Sequence, residues 1–140
     1  MRTGVLLDTG PLVASINRRD RFHEWARDQL AQIEPPLVTC EAVLAESCFL
    51  LQQTAGGGGA ILELVRRRVV EVAFHVEDHT EPLARLMEKY ADMPMSLADA
   101  CLVRMSELHS QCLVMTLDDD FRVYRRHGRQ VIPLLAPYTG

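Results

Sequence analysis

The chain has 140 residues, the length of one ordinary globular domain, and a single domain over residues 1–140 is expected. Hydrophobic residues make up 48% and charged residues 24%, too apolar a balance for a disordered chain, while no apolar run approaches the ~20 residues of a membrane-spanning helix. The net charge of −4 argues against a protein that grips nucleic acid through bulk positive charge.

The run from Gly4 to Leu7 is short, apolar and without alternation, so it reads as a buried strand ending at Asp8. Helical spacing follows over Thr9 to Asn17 and again over Asp20 to Ile33, where Phe22, Trp25, Ala26 and Leu30 share a side and Asp20 is placed to cap. Pro35 and Pro36 stop that helix before a second strand, Leu37 to Thr39. A strongly apolar helix from Glu41 to Gln53 then runs into Gly56 to Gly59. That glycine run reads as a loop between helices and not a phosphate-binding loop, because no strand precedes it and no Lys follows. Ile61 to Arg67 is predicted helical, Val69 to Phe74 a strand, Thr80 to Tyr90 and Ser96 to His109 helices, Cys112 to Thr116 a strand, Asp118 to Arg126 a short helix and Val131 to Leu135 a last strand. Strands alternating with helices imply an α/β fold, with a mostly parallel central sheet of four to five short strands flanked by helices.

All the basic residues but Lys89 are Arg, and those at 122, 125, 126 and 129 suit either phosphate contact or a solvated face. The cysteines at 40, 48, 101 and 112 lie in apolar segments without a CxxC pair and read as buried reduced thiols. With no export signal at the N-terminus, they point to a cytoplasmic protein. His75 and His79 have ligand-like spacing but no third partner nearby, which favours a surface role.

In an open parallel sheet reactive groups collect at the carboxyl ends of the strands, and two acids fall there: Asp8 after the first strand and Asp118 after the fourth. Two more sit in apolar helices, where an ionised carboxylate needs a cation, a metal or strong donors: Glu46, in register with Val43, Phe49 and Leu50, and Asp99, beside Leu97, Ala98 and Cys101. Each has a structural reading of its own. Asp8 before Thr9-Gly10-Pro11 could close a turn, Ser96-x-x-Asp99 is a capping-box pattern, and Asp118 could cap the helix it precedes. Glu46 lacks even a basic residue three or four positions away. Together the four suit metal-assisted phosphoryl hydrolysis, in which hard Mg2+ or Mn2+ is held by a few carboxylates and keeps several waters. The tripeptide Asp8-Thr9-Gly10 also occurs in aspartic proteases, but those folds are all-β and this chain is largely helical.

The stretches around these acids, Leu6 to Ala14, Val43 to Glu46, Tyr90 to Ala100 and Thr116 to Phe121, resemble in order and spacing the four acidic motifs of PIN-domain ribonucleases, most of all the VapC toxins of toxin-antitoxin modules. The resemblance covers nearly the whole chain. It implies a three-layer PIN-like fold, a Mg2+- or Mn2+-dependent endoribonuclease that leaves a 5′-phosphate and a 3′-hydroxyl, a homodimer, and inhibition by a small VapB-like antitoxin. Asp8, Glu46, Asp99 and Asp118 match the family's catalytic, metal-holding acids, and Thr116 its hydroxyl residue. Thr9 and Asp120 are supporting candidates, and Asp92 fits the run before Pro94 without an assigned role. The rival reading is a catalytically inactive module that binds RNA or protein. Within the Asp118-Asp119-Asp120 run, Asp118 is favoured as the ligand, with Asp120 left to capping or to pairing with Arg. The dimer surface is expected on the second and fifth helices, around Phe22, Trp25, Leu83 and Leu86.

Overall fold

The computed structural model describes residues 2–138. In chain order its elements are β1 Val5–Leu7, α1 Thr9–Ile16, α2 His23–Ala31, β2 Leu37–Thr39, α3 Glu41–Leu50, α4 Gly57–Arg66, β3 Val70–Val72, α5 Thr80–Lys89, α6 Leu97–Leu108, β4 Leu113–Met115, β5 Arg125–Arg126, β6 Gln130–Val131 and β7 Leu134–Leu135. Short 3-10 helices cover Val76–Asp78 and Asp119–Arg122. Five strands form one wholly parallel sheet in the order β3-β2-β1-β4-β7, and β5 and β6 pair separately as an antiparallel hairpin. The α/β expectation holds, with six α-helices around the parallel sheet.

β1 is central and buried along its length, which is why its sequence shows no polar alternation. The chain winds from it to β2 and β3 on one side and later to β4 and β7 on the other, so the order reverses between β1 and β4. Behind this junction α6 buries Ala98, Ala100, Cys101, Leu102, Val103, Met105 and Ser106, and it starts where Ser96 Oγ accepts the Asp99 N–H at 3.0 Å.

Several boundaries differ from the sequence expectation for local reasons. Asp20 accepts the Phe22 N–H and closes the turn ahead of α2, which begins three residues later than its spacing suggested. The glycine run is not all loop, because Gly57 to Gly59 form the first turn of α4 after Gly56 takes a left-handed conformation. A Cβ on Gly57 would lie 2.7 Å from Leu51 Cβ, so this close approach of α4 to the end of α3 admits only glycine. The expected strand from Val131 to Leu135 is divided at Pro133. Residues 130–131 turn back onto β5, while the Pro133 and Leu135 carbonyls accept the N–H groups of Val114 in β4 and of Thr116 just after it. The helix expected from Asp118 to Arg126 is only the 3-10 turn Asp119–Arg122.

The apolar surplus also lies elsewhere than expected. Leu83 is buried, and Trp25 and Leu86 pack against the core, whereas Phe49, Leu50 and Leu62 on α3 and α4 are 65%, 55% and 63% exposed. No helix is long and apolar enough to cross a membrane among the described residues.

Candidate active site

The crevice where strand order reverses is the place an open parallel sheet offers a ligand. Asp8 follows β1 and Thr116 follows β4 there, joined by the Asp8 N–H donating to the Met115 carbonyl at 3.0 Å. The Asp8 carboxylate accepts the Thr9 N–H on Oδ1 at 2.8 Å and the Thr116 hydroxyl on Oδ2 at 2.7 Å. Thr116 Oγ1 in turn accepts the Asp118 N–H at 2.9 Å, and Asp118 Oδ1 accepts the Asp120 N–H at 2.9 Å. One chain of bonds through buried Thr116 therefore fixes both strand-end acids. Gly10 keeps this turn tight, since a Cβ there would meet Leu117 at 3.1 Å.

An open cleft of about 650 Å3 at this junction is walled by Asp8, Thr9, Glu46, Asp99, Asp118, Asp119 and Asp120, with small and apolar residues between them. All four sequence-derived acids and two of their supporting residues meet in it. Among the described residues no Lys, Arg or His joins the wall. Thr116 lies beneath, touching the cleft wall through Asp8 and the Asp118 N–H. Asp92 is exposed and outside it.

Burial governs the electrostatics. Asp8 is only 5% exposed, and loss of solvent pushes its carboxyl up to about 7, against the lowering effect of the Thr116 and Thr9 bonds. The charges of Asp99 and Asp118 push in the same direction. Asp99 is half-buried and is also raised, first by desolvation, then by Asp118 and Glu46, with the Tyr124 hydroxyl bond working against them. Asp120 is raised by its loss of solvent and by the neighbouring Asp118 and Asp119 charges.

Glu46 corrects its own rationale. α3 turns Val43 and Ser47 inward, and Glu46 is exposed on the other side with Phe49 and Leu50, so its carboxylate is not on a buried face. The apolar register was right, but two of its three residues, Phe49 and Leu50, face outward. The triple aspartate is also redistributed: Asp118 caps the 3-10 turn, Asp119 pairs with Arg122 at 3.5 Å, and Asp120, expected to cap or pair, lines the cleft. Asp118 is extended (φ −97°, ψ 119°) and lies outside the helical turn, so the angular argument against Asp118 and Asp120 sharing a face does not apply.

The sequence reading missed Tyr124. It is fully buried between Tyr90 and Phe121, and its hydroxyl donates to Asp99 Oδ2 at 2.8 Å. The available signal was a tyrosine three residues after Phe121, since a buried phenol needs a polar partner. His79 stacks on Phe74 at 4.6 Å and accepts from Arg104 Nε. Cys40 and Cys101 are buried, but Cys48 and Cys112 are only half-buried, short of the burial expected for all four.

The donor set suits a hard divalent cation: several carboxylate oxygens, no neutralising base on the wall, and one acid whose ionisation is suppressed without a counter-charge. As placed, no three His, Cys, Asp or Glu side chains among the described residues close into a cage by themselves.

The family model described as PIN domain matches residues 5–126. Among solved structures the chain is similar to the crystal structure of Mycobacterium tuberculosis VapC20, described as a sarcin-ricin loop cleaving toxin, with 23% sequence identity and a TM-score of 0.72 over 85% of this chain and 93% of that one. No curated protein sequence matches it significantly.

Proposed function

Because the chain belongs to the PIN-domain family and has its α/β fold, we propose that it is a Mg2+- or Mn2+-dependent endoribonuclease, the toxin of a toxin-antitoxin pair. The observation that carries this reading is the convergence of Asp8, Glu46, Asp99 and Asp118 on one cleft whose wall holds no basic side chain. The cation, when bound, supplies a counter-charge for the phosphodiester and acidifies a water. The residues supply position. Thr116 and the Thr9 N–H hold the two Asp8 oxygens, Asp118 is set by its own cap, and Glu46 reaches the cleft from the exposed side of α3. Such a site works on a polyanion despite the chain's negative charge, because the acids are neutralised by the metal that they bind. The reading includes a VapB-like antitoxin and a homodimer. A second copy would cover the exposed Phe49 and Leu62, which lie outside the cleft, and light scattering of Leu62→Glu against the unaltered protein tests that surface.

The main test is cleavage of an end-labelled RNA with Mn2+, with chelator, and with an Asp8→Asn variant. Metal-dependent cuts bearing 5′-phosphates, absent from both controls, are expected. Intact RNA with a folded protein that also binds no Mn2+ would sink the proposal and leave the non-catalytic binding module.

A further inference from the structure

Asp99 enters the cleft from the first turn of α6, where a carboxylate three residues after an N-cap serine has a purely structural use. Only half of that use is realised. Ser96 Oγ accepts the Asp99 N–H, but among the described residues the Asp99 side chain makes no return bond to the Ser96 backbone N–H. Asp is one methylene shorter than the Glu that usually completes the box. The carboxylate instead accepts from Tyr124, a fully buried residue 25 positions away that lies behind the cleft wall.

That phenol has little freedom. Its ring is fully buried, held edge-on by Tyr90 at 5.0 Å and by Phe121 at 5.1 Å between centroids. Its backbone N–H donates to the Asp120 carbonyl at 3.0 Å, which ties it to the turn that Asp118 caps. Tyr90 is fixed separately, its hydroxyl accepting the Arg125 N–H at 2.9 Å. A rigid aromatic block thus carries two hydroxyls, of which the Tyr124 hydroxyl ends on Asp99 Oδ2 and the Tyr90 hydroxyl on a backbone N–H.

We propose that Tyr124 is the positioning residue of Asp99: its hydroxyl holds Oδ2, presents Oδ1 to the cleft, and sets Asp99 in fixed relation to the Asp118 turn. This rests on the metal-site reading above and adds to it a named residue that acts through Asp99. Partners that orient a ligand from behind typically change metal affinity by ~10–100-fold when lost, because the ligand must then be ordered at the moment of binding.

Tyr124→Phe removes only the hydroxyl and keeps the ring packing. Calorimetric titration of the metal-free protein with Mn2+ alone should give a dissociation constant raised at least about tenfold, with a melting temperature close to that of the unaltered protein. Tyr90→Phe is the matched control. It removes a hydroxyl from the same aromatic block, and the Arg125 N–H loses its acceptor, but no carboxylate is touched, so Mn2+ affinity should not change. An affinity within twofold of the original in folded Tyr124→Phe overturns the proposal, as does an equal loss in Tyr90→Phe, which would mean that the block acts only by packing. If the unaltered protein binds no Mn2+, the metal-site reading fails and takes this proposal with it; binding in the unaltered protein without a Tyr124 effect removes this proposal alone.

Discussion

The cleft and the arginine-rich segment beside it treat charge in opposite ways. On the cleft wall six carboxylates gather, and among the described residues only Asp119 has a basic partner. In the segment from 122 to 126 each guanidinium has a partner within the chain, although the buried Arg126 Nε has none among the described residues. Arg122 reaches Asp119, one Arg125 nitrogen donates to the carbonyls of Arg122, Val123 and Tyr124, and buried Arg126 donates to the Ser106 carbonyl at 3.0 Å. Charges with internal partners serve the fold. Like charges left together without one oppose it, and a fold keeps such a group where something outside the chain is to bind.

The sharpest way to break this contrast is Asp8→Asn. The amide keeps the shape and its oxygen can still accept the Thr9 N–H, but its NH2 meets the Thr116 hydroxyl as a donor where the carboxylate accepted, and it is a poor ligand for a hard cation. RNA cleavage should fall to background, while in metal-free buffer at pH 8 the variant should melt above the unaltered protein, because no buried charge remains to be desolvated. Retained cleavage together with lower stability would make Asp8 a turn residue and nothing more.

Asp118 and Asp120 should separate next. Asn caps nearly as well as Asp, so Asp118→Asn should keep its turn and lose most of the metal-dependent rate, whereas Asp118→Ala should cost a further ~1 kcal/mol through the lost cap. Asp120→Asn, with no internal bond to its side chain among the described residues, should keep most of the rate. A reversal in a cleavage assay would transfer the fourth ligand role to Asp120.

A pH series tests the same contrast without RNA. Asp8 in the folded protein titrates near 7, above the 3.8 of the free side chain, so its contribution to stability is complete below about 4 and is lost as pH rises through 7. Asp99 and Asp120 are displaced in the same direction. Urea unfolding of the metal-free protein should therefore show stability falling between pH 4 and 7, with a slope from Asp8 approaching ~1.4 kcal/mol per unit. Millimolar Mn2+ should flatten that fall, and Asp8→Asn should remove the Asp8 part of it. An equal slope in the variant would place the titrating group elsewhere.

The legible part of the molecule was what leaves a periodic or positional trace in the sequence. Apolar β1, the Ser96 start of α6 and the acids at strand ends could be read because each depends on neighbours within a few positions. Glu46 lines one cleft with the other acids, but the reason given for singling it out fails, since helical periodicity shows that Val43 and Phe49 are apolar but not which of them faces the core. The Tyr124 to Asp99 bond depends on segments that meet only after folding, whereas the split at Pro133 and the glycine at 57 carried local signals that apolar periodicity overrode.

The smallest effects belong to the arginine side of the contrast. Arg126→Met should destabilise the fold by roughly 1–3 kcal/mol, because the Ser106 carbonyl loses a buried donor, and Mn2+ affinity should not move. Arg122→Ala breaks an exposed pair with Asp119, with side chains 40% and 76% exposed, and a contact over the Tyr138 ring at 5.4 Å, and each is worth about 1 kcal/mol or less. Its melting temperature should stay nearly unchanged, and the informative quantity is then the KM for RNA. An unchanged KM makes Arg122 part of a solvated face. A KM that rises severalfold, more at low salt than at high, while kcat and stability hold, would show that this guanidinium leaves Asp119 for a phosphate. In that case the division between paired and unpaired charge would end at Arg122.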